Sequence, residues 1–135
     1  NSHHIKNLID SHRELRASST LLVRHVKDPR QFGVASGKSG KNNTIEIDNL
    51  EEKPAKPSTN LAIMPVYIFE PEIFRALEMT HAGKSNELQL TDGIMKLVEL
   101  GKRVIAIKMK RDDLWIDIGT PNTYWDALRT SYSLR

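Results

Sequence analysis

Apolar residues along this chain alternate between helical stripes and strand-like runs. Ile5, Leu8, Ile9, His12 and Leu15 share one helical face, which Ser18-Ser19 ends. Residues 20–26 are β-branched and apolar enough for a strand, broken by Asp28-Pro29. Residues 32–35 and 44–48 read as short strands around a Gly/Ser/Asn/Lys turn, a hairpin. A polar segment, 51–59, leads into a long apolar strand at 60–69, in which Pro65 cannot donate to a ladder and so marks a bulge or an edge. Pro71 opens a second helix carrying Ile73, Phe74 and Leu77 inward, and a polar loop at 80–86 closes it. Leu90, Ile94, Leu97 and Val98 predict a third helix with Gly101 as its C-terminal cap. A strand follows at 104–109, then a Lys-Arg-Asp-Asp turn.

The next segment, 114–118, reads as a strand with Leu114, Ile116 and Ile118 on one face and Trp115 and Asp117 on the other. Thr120 is a good N-cap and Pro121 suits the first helical position, so a last helix carrying Tyr124, Trp125 and Leu128 starts there. Helices alternating with strands predict an α/β layered fold with a partly parallel sheet. No repeat or linker divides residues 1–135, which are expected to form a single domain.

Composition narrows the function classes. Twenty basic residues against 17 acidic ones leave a net charge of +3, and no cysteine is present, which excludes a thiol nucleophile, a disulfide framework and a Cys-ligated zinc site. No apolar run approaches the roughly 20 residues of a membrane span, and nothing resembles a secretory signal, so a soluble, cytoplasmic protein without a membrane partner is expected. The densest basic stretch, from Arg24 to Lys41, reads as a solvated face. With aromatics at only 6% and no recognition motif, no nucleic-acid partner is expected.

Few motifs carry chemistry. Gly37-Lys38-Ser39 resembles the end of a phosphate loop, but Gly33 stands one position too close and a strand follows, so a flexible turn is the better reading. His3 and His4 read as an exposed pair without metal-site spacing, and His25 as a hydrogen-bonded structural residue. In Glu51-Glu52-Lys53-Pro54, Lys53 is a compact cation able to meet a phosphate and Glu52 an acceptor for two vicinal sugar hydroxyls; three solvated loop charges are the alternative. Asp117 sits where a strand runs into a helix N-terminus, a place suited to a divalent cation bridging to phosphate, although pairing with a lysine or a loop backbone would also account for it.

These segments gain meaning in order. Val26-Lys27-Asp28-Pro29 with Phe32-Gly33-Val34, Glu52-Lys53-Pro54, Asn60-Leu61-Ala62-Ile63 with Val66-Tyr67-Ile68-Phe69, Glu87-Leu88-Gln89-Leu90-Thr91-Asp92, and Trp115-Ile116-Asp117-Ile118-Gly119-Thr120-Pro121 together resemble the sugar-1-phosphate nucleotidyltransferase family, which includes glucose-1-phosphate uridylyl- and thymidylyltransferases. The resemblance implies a Rossmann-like α/β domain with a mixed sheet flanked by helices, of which this chain would be the C-terminal half. It implies an enzyme that joins a sugar-1-phosphate to a nucleoside triphosphate and releases pyrophosphate, with magnesium as cofactor. By motif, Gly33 would contact the sugar through its backbone, Glu52 would bind sugar hydroxyls, Lys53 would bind the sugar phosphate and act in catalysis, and Ile63 would line the pocket. Asp117 would be a catalytic residue and one of two aspartates holding the metal.

Departures accompany the likeness. The family's Gly-rich nucleotide loop and first metal-binding Asp belong to an N-terminal half not represented here, so the chain alone is expected to be inactive. Pro65 stands where the family usually has Gly. A half-domain would also expose apolar surface and the edges of the strands at 20–26 and 60–69, and so self-associate. The alternative is a non-catalytic sugar-phosphate-binding or regulatory paralogue.

Overall fold

The fold, a computed structural model, describes residues 2–80, 87–116 and 118–134. In chain order its elements are α1 (Ser2–Glu14), β1 (Ser19–His25), β2 (Gly33–Ser39), β3 (Thr44–Glu52), β4 (Leu61–Phe69), α2 (Glu72–Glu78), α3 (Leu90–Glu99), β5 (Val104–Lys108) and α4 (Pro121–Ser133). The strands make one mixed sheet in the order β1-β4-β2-β3-β5, closed on itself. β1 lies antiparallel to β4 and parallel to β5, and β5 also pairs antiparallel with the start of β3 through Thr44↔Ile107 and Glu46↔Ile105. The expected exposed edge on β1 therefore does not exist: β4 and β5 occupy both of its sides. β4 is likewise flanked, by β1 and by β2 at the Val34↔Ala62 bridge.

Side-chain alternation sends two sets of residues to opposite faces of the sheet. Leu21, Val23, Ile63, Val104 and Ala106 join Ile73, Ala76, Ile94 and Leu97 of α2 and α3 in one cluster. Leu22, Ala62, Met64 and Ile107 pack with Leu8 of α1 in the other. On α1 the predicted stripe holds at its centre, with Leu8 and His12 buried, while Ile5 is exposed. His12 is tied in at both ends: Nδ1 lies 2.8 Å from Thr20 Oγ1 and Nε2 lies 3.0 Å from Glu70 Oε1.

Two bulges shape the sheet. Leu21 faces Tyr67 but Leu22 faces Met64, so Pro65 and Val66 are left out of the ladder, as the missing proline N–H requires. In the hairpin, Ser36 faces Asn49 and Gly37 faces Ile47, which leaves Asp48 as an extra residue. Gly37 permits this close approach, because a β-carbon there would stand 2.0 Å from the Glu46 carbonyl oxygen. The Gly37-Lys38-Ser39 segment is thus part of a strand. Asn42 and Asn43, both at positive φ, turn the hairpin.

Several expectations are corrected. Residues 114–116 and 118 are in no strand, and Asp117 lies outside the described residues, as does the loop at 81–86. Leu114, Ile116 and Ile118 are exposed, whereas Trp115 packs partly buried against the α1-side cluster. A segment becomes a strand only beside a free ladder edge, and both edges of β5, the preceding strand, are taken. Phe74 is 69% exposed, because Ile73 and Ala76 occupy the inward face of the short helix α2. Tyr124, Trp125 and Leu128 of α4 are exposed, with only Ala127 buried on that helix. Among the described residues no helix is long and apolar enough to cross a membrane.

Gly37→Ala should cost about 2–3 kcal/mol, the upper part of the usual overpacking range, because the obstructing atom is backbone and cannot swing aside. Urea denaturation measures this, and an unchanged midpoint would refute the role of Gly37 in the bulge.

Candidate functional site

The Asp48 bulge determines which glutamate reaches the core side of β3. Ile45 and Ile47 face the α3-side cluster, and without the extra residue Asn49 and Glu51 would follow them. With it, Leu50 joins the cluster, and Glu52 shares its face. Glu51 is held elsewhere, accepting from Asn49 Nδ2 at 3.0 Å and Ser58 Oγ at 2.9 Å, which ties down the polar loop after β3.

Glu52 lies opposite Gly33 in the ladder, and its Oε2 accepts a 2.6 Å hydrogen bond from Thr91 Oγ1 in the first turn of α3. A β-carbon on Gly33 would sit 3.1 Å from each of Glu52 Oε2, Ile63 Cδ1 and Thr91 Oγ1. Four residues from three strands and a helix thus converge on one small space. It combines a carboxylate, a hydroxyl, an apolar wall and a stretch of backbone bare of side chain, which is the equipment for binding a polyhydroxylated ring.

Glu52 also colours its surroundings. Burial first, and the Glu52 charge second, push the Asp92 carboxyl and the Tyr67 phenol above their ordinary pKa ranges. Tyr67 stacks on Phe69, with ring centroids 5.5 Å apart. Thr91, Asp92 and Tyr67 were not singled out as site residues from the sequence. The signal that could have found them lay in the blocks Val66-Tyr67-Ile68-Phe69 and Glu87-Leu88-Gln89-Leu90-Thr91-Asp92, which carry part of the family resemblance.

Of the residues expected to work together, Gly33, Glu52 and Ile63 are adjacent. Lys53 follows Glu52 directly: its backbone turns to φ 41°, its N–H donates to the Phe32 carbonyl at 3.1 Å, and its side chain is exposed. Asp117 lies outside the described residues. The helix after it begins as expected, with Thr120 as N-cap and Pro121 in the first turn. Thr123 Oγ1 accepts from the N–H groups of Gly119 and Thr120, at 3.1 and 2.9 Å, so those two donors are already used. Among the described residues no group of three or more His, Cys, Asp or Glu side chains could hold a metal ion. His4 is not simply exposed, since its Nε2 lies 3.2 Å from Asp113 Oδ1. His25 is exposed and forms no side-chain hydrogen bond among the described residues, contrary to the expectation for it.

The fold and the Gly33–Glu52–Ile63–Thr91 cluster define a class before any comparison does, an α/β protein with a candidate small-molecule site where a hairpin meets a helix N-terminus. The pattern of the family described as Nucleotidyl transferase matches residues 1–133, and the chain belongs to that family. It is 35% identical to the UTP–glucose-1-phosphate uridylyltransferase of Bacillus subtilis (strain 168), over 97% of this chain and 46% of that protein. It is 37% identical to the glucose-1-phosphate thymidylyltransferase of Streptomyces griseus, over 82% of this chain and 30% of the relative. A crystal structure of UDP-glucose pyrophosphorylase complexed with UDP-glucose superposes with a TM-score of 0.86 at 29% identity, covering 96% of this chain and 49% of that one. The chain therefore spans less than half the length of these relatives.

Asp92→Asn tests the electrostatics. A carboxyl whose folded pKa is raised favours folding while it is neutral, and that contribution is lost as pH rises through the folded pKa. The first turn of α3 favours a negative charge, but burial and Glu52 outweigh it. The variant should therefore melt at a higher temperature than wild type at pH 7, with the difference shrinking toward pH 3. A lower melting temperature at pH 7 would overturn this account of Asp92.

Proposed function

We propose that this chain carries the sugar-phosphate side of a sugar-1-phosphate nucleotidyltransferase site, with glucose-1-phosphate as the substrate. The observation that carries the reading is the convergence of Gly33, Glu52, Ile63 and Thr91 on one space in a chain of this family. Gly33 lets the sugar ring approach the backbone, Glu52 accepts hydrogen bonds from its hydroxyls, and Ile63 forms the apolar wall. Lys53, on a turn directly after Glu52, reaches through solvent to neutralise the sugar phosphate.

In the reaction a sugar-phosphate oxygen attacks the α-phosphorus of a nucleoside triphosphate. One P–O bond forms while the bond between the α-phosphorus and the β-bridging oxygen breaks, and pyrophosphate leaves with that electron pair. No covalent enzyme intermediate is needed, so positioning and charge neutralisation carry the catalysis. Magnesium, when bound, would supply further neutralisation of the phosphate oxygens. Asp117 is the residue proposed to hold it, its carboxylate oxygen suiting a hard cation that also takes water and phosphate ligands. The 135-residue chain alone, with this part of the site, is proposed to be inactive.

Glucose-1-phosphate should bind the chain in the millimolar range, about −4 kcal/mol. Lys53→Ala should remove most of this binding in an NMR titration; equal affinity in the variant would dismiss Lys53 as the phosphate ligand. When the chain is joined to the first half of the Bacillus subtilis uridylyltransferase, pyrophosphate release should require both sugar-1-phosphate and magnesium. Asp117→Asn in that protein should slow release about a hundredfold, near 3 kcal/mol of barrier. Turnover unaffected by that change would make Asp117 structural, and no turnover with any common sugar phosphate would favour the non-catalytic reading. We also propose that the isolated chain self-associates through its exposed apolar residues, among them Leu114, Ile118, Tyr124, Trp125 and Leu128. A monomer over a wide concentration range in light scattering would dispose of that.

A further inference from the structure

The carboxyl ends of the two parallel strands form a second, basic site. β1 ends at His25 and β5 at Lys108, with Lys108 beside Val23 in the ladder. A cavity of about 430 Å³ opens there, lined by His25, Asn43, Lys108, Met109, Lys110 and Arg111. No carboxylate is among these residues. None of the Lys108, Lys110 and Arg111 side chains forms an ion pair among the described residues, whereas Arg30, Lys96, Lys102 and Arg103 each do. Arg24 adds a further cation, its guanidinium donating to the Arg111 carbonyl at 3.5 Å.

The neighbouring acids do not cancel this charge. Asp113 is engaged by His4 and by the Lys110 N–H, the latter at 2.6 Å, and Asp112 is exposed outside the lining. The backbone that carries the cations is pinned: the Lys108 N–H donates to the Asn43 carbonyl and the Met109 N–H to the Val23 carbonyl, both at 2.9 Å. Like charges are thus gathered on and just after β5, with Arg24 of β1 nearby, on a fixed frame.

We propose that this cavity binds a phosphate-bearing anion, with inorganic pyrophosphate as the smallest species that matches its charge. Three permanent cations suit an anion with several negative charges better than a lone carboxylate, and an arginine fork beside two compact ammonium groups suits phosphoryl oxygens. A water occupies about 30 Å³ of liquid, so the space holds a diphosphate with its hydration. None of the lining residues belongs to the Gly33–Glu52 cluster, so the site is distinct from that cluster, and its ligand is also the product of the proposed reaction.

Titration of the 135-residue chain with pyrophosphate, followed by calorimetry and ³¹P NMR, tests it. Pyrophosphate should bind more tightly than orthophosphate, and Lys108→Gln and Arg111→Gln should each weaken it about tenfold, or about 1.4 kcal/mol. Arg111→Lys should restore part of the loss, and circular dichroism checks that the variants fold. UTP that displaces pyrophosphate would identify the anion as a nucleotide's phosphate tail, and UTP that does not would identify free pyrophosphate. Either result supports the site. Absence of pyrophosphate binding, or affinity unchanged in the Lys108→Gln/Arg111→Gln protein, would overturn it. So would loss on Lys53→Ala with both cavity variants unaffected, which would place the anion at the sugar-phosphate position. An oligonucleotide that outcompetes pyrophosphate would overturn it in favour of a nucleic-acid surface.

Discussion

The closure of the sheet through β5 is the constraint on which the rest depends. β5 is only five residues long, yet it pairs with β1 on one side and with the beginning of β3 on the other. That double pairing fixes the near end of β3, and the strand then carries its far end to Gly33. Buried backbone groups must find partners, so each strand of a closed sheet has its position set by both neighbours. The Glu52 carboxylate inherits its location from a ladder that starts at Thr44.

Within that frame, the two bulges act differently on side-chain facing. The β4 bulge leaves two residues out, so alternation resumes in phase and Ile63 and Tyr67 share the α3 side of the sheet. The β3 bulge inserts one residue, which reverses the alternation and turns Glu52 rather than Glu51 toward Thr91. An odd insertion changes the face and an even one does not, because the strand repeat is two. Gly37 and Pro65, which look unrelated to a binding site, are the residues that make these insertions feasible: one by lacking a β-carbon, the other by lacking an N–H.

The site is a charged group in a partly dry place, and its energetics follow from that. Thr91 gives Glu52 a charge-assisted hydrogen bond, stronger than a neutral one and directed by the first turn of α3. Burial, and after it the same charge, raises the pKa of Asp92, one residue on, and of the Tyr67 phenol, which stays neutral. A ligand hydroxyl donating to Glu52 would weaken its repulsion of the Asp92 carboxylate. The basic cavity presents the opposite condition, three cations that form no ion pair among the described residues.

The amino-acid pattern by itself determined the order of elements up to β5 and the start of the last helix. The α1 stripe, the strands at 20–26 and 60–69, the hairpin, the capped start of α4 and the irregularity at Pro65 are all local consequences of side-chain period, capping chemistry and a missing donor. Gly33, Glu52 and Ile63 were legible as a group because their motifs occur in a family's order. Tertiary structure alone decided the rest. It buried Trp115 and left Leu114 and Ile116 in solvent, because no ladder edge remained beside β5 for that segment. It set Lys53 on a left-handed backbone turn, brought Thr91 to Glu52 from 39 residues away, and gathered Lys108 and Arg111 beside His25. Facing, strand partnership and long-range charge depend on which backbones lie side by side, and one-dimensional periodicity holds no record of that.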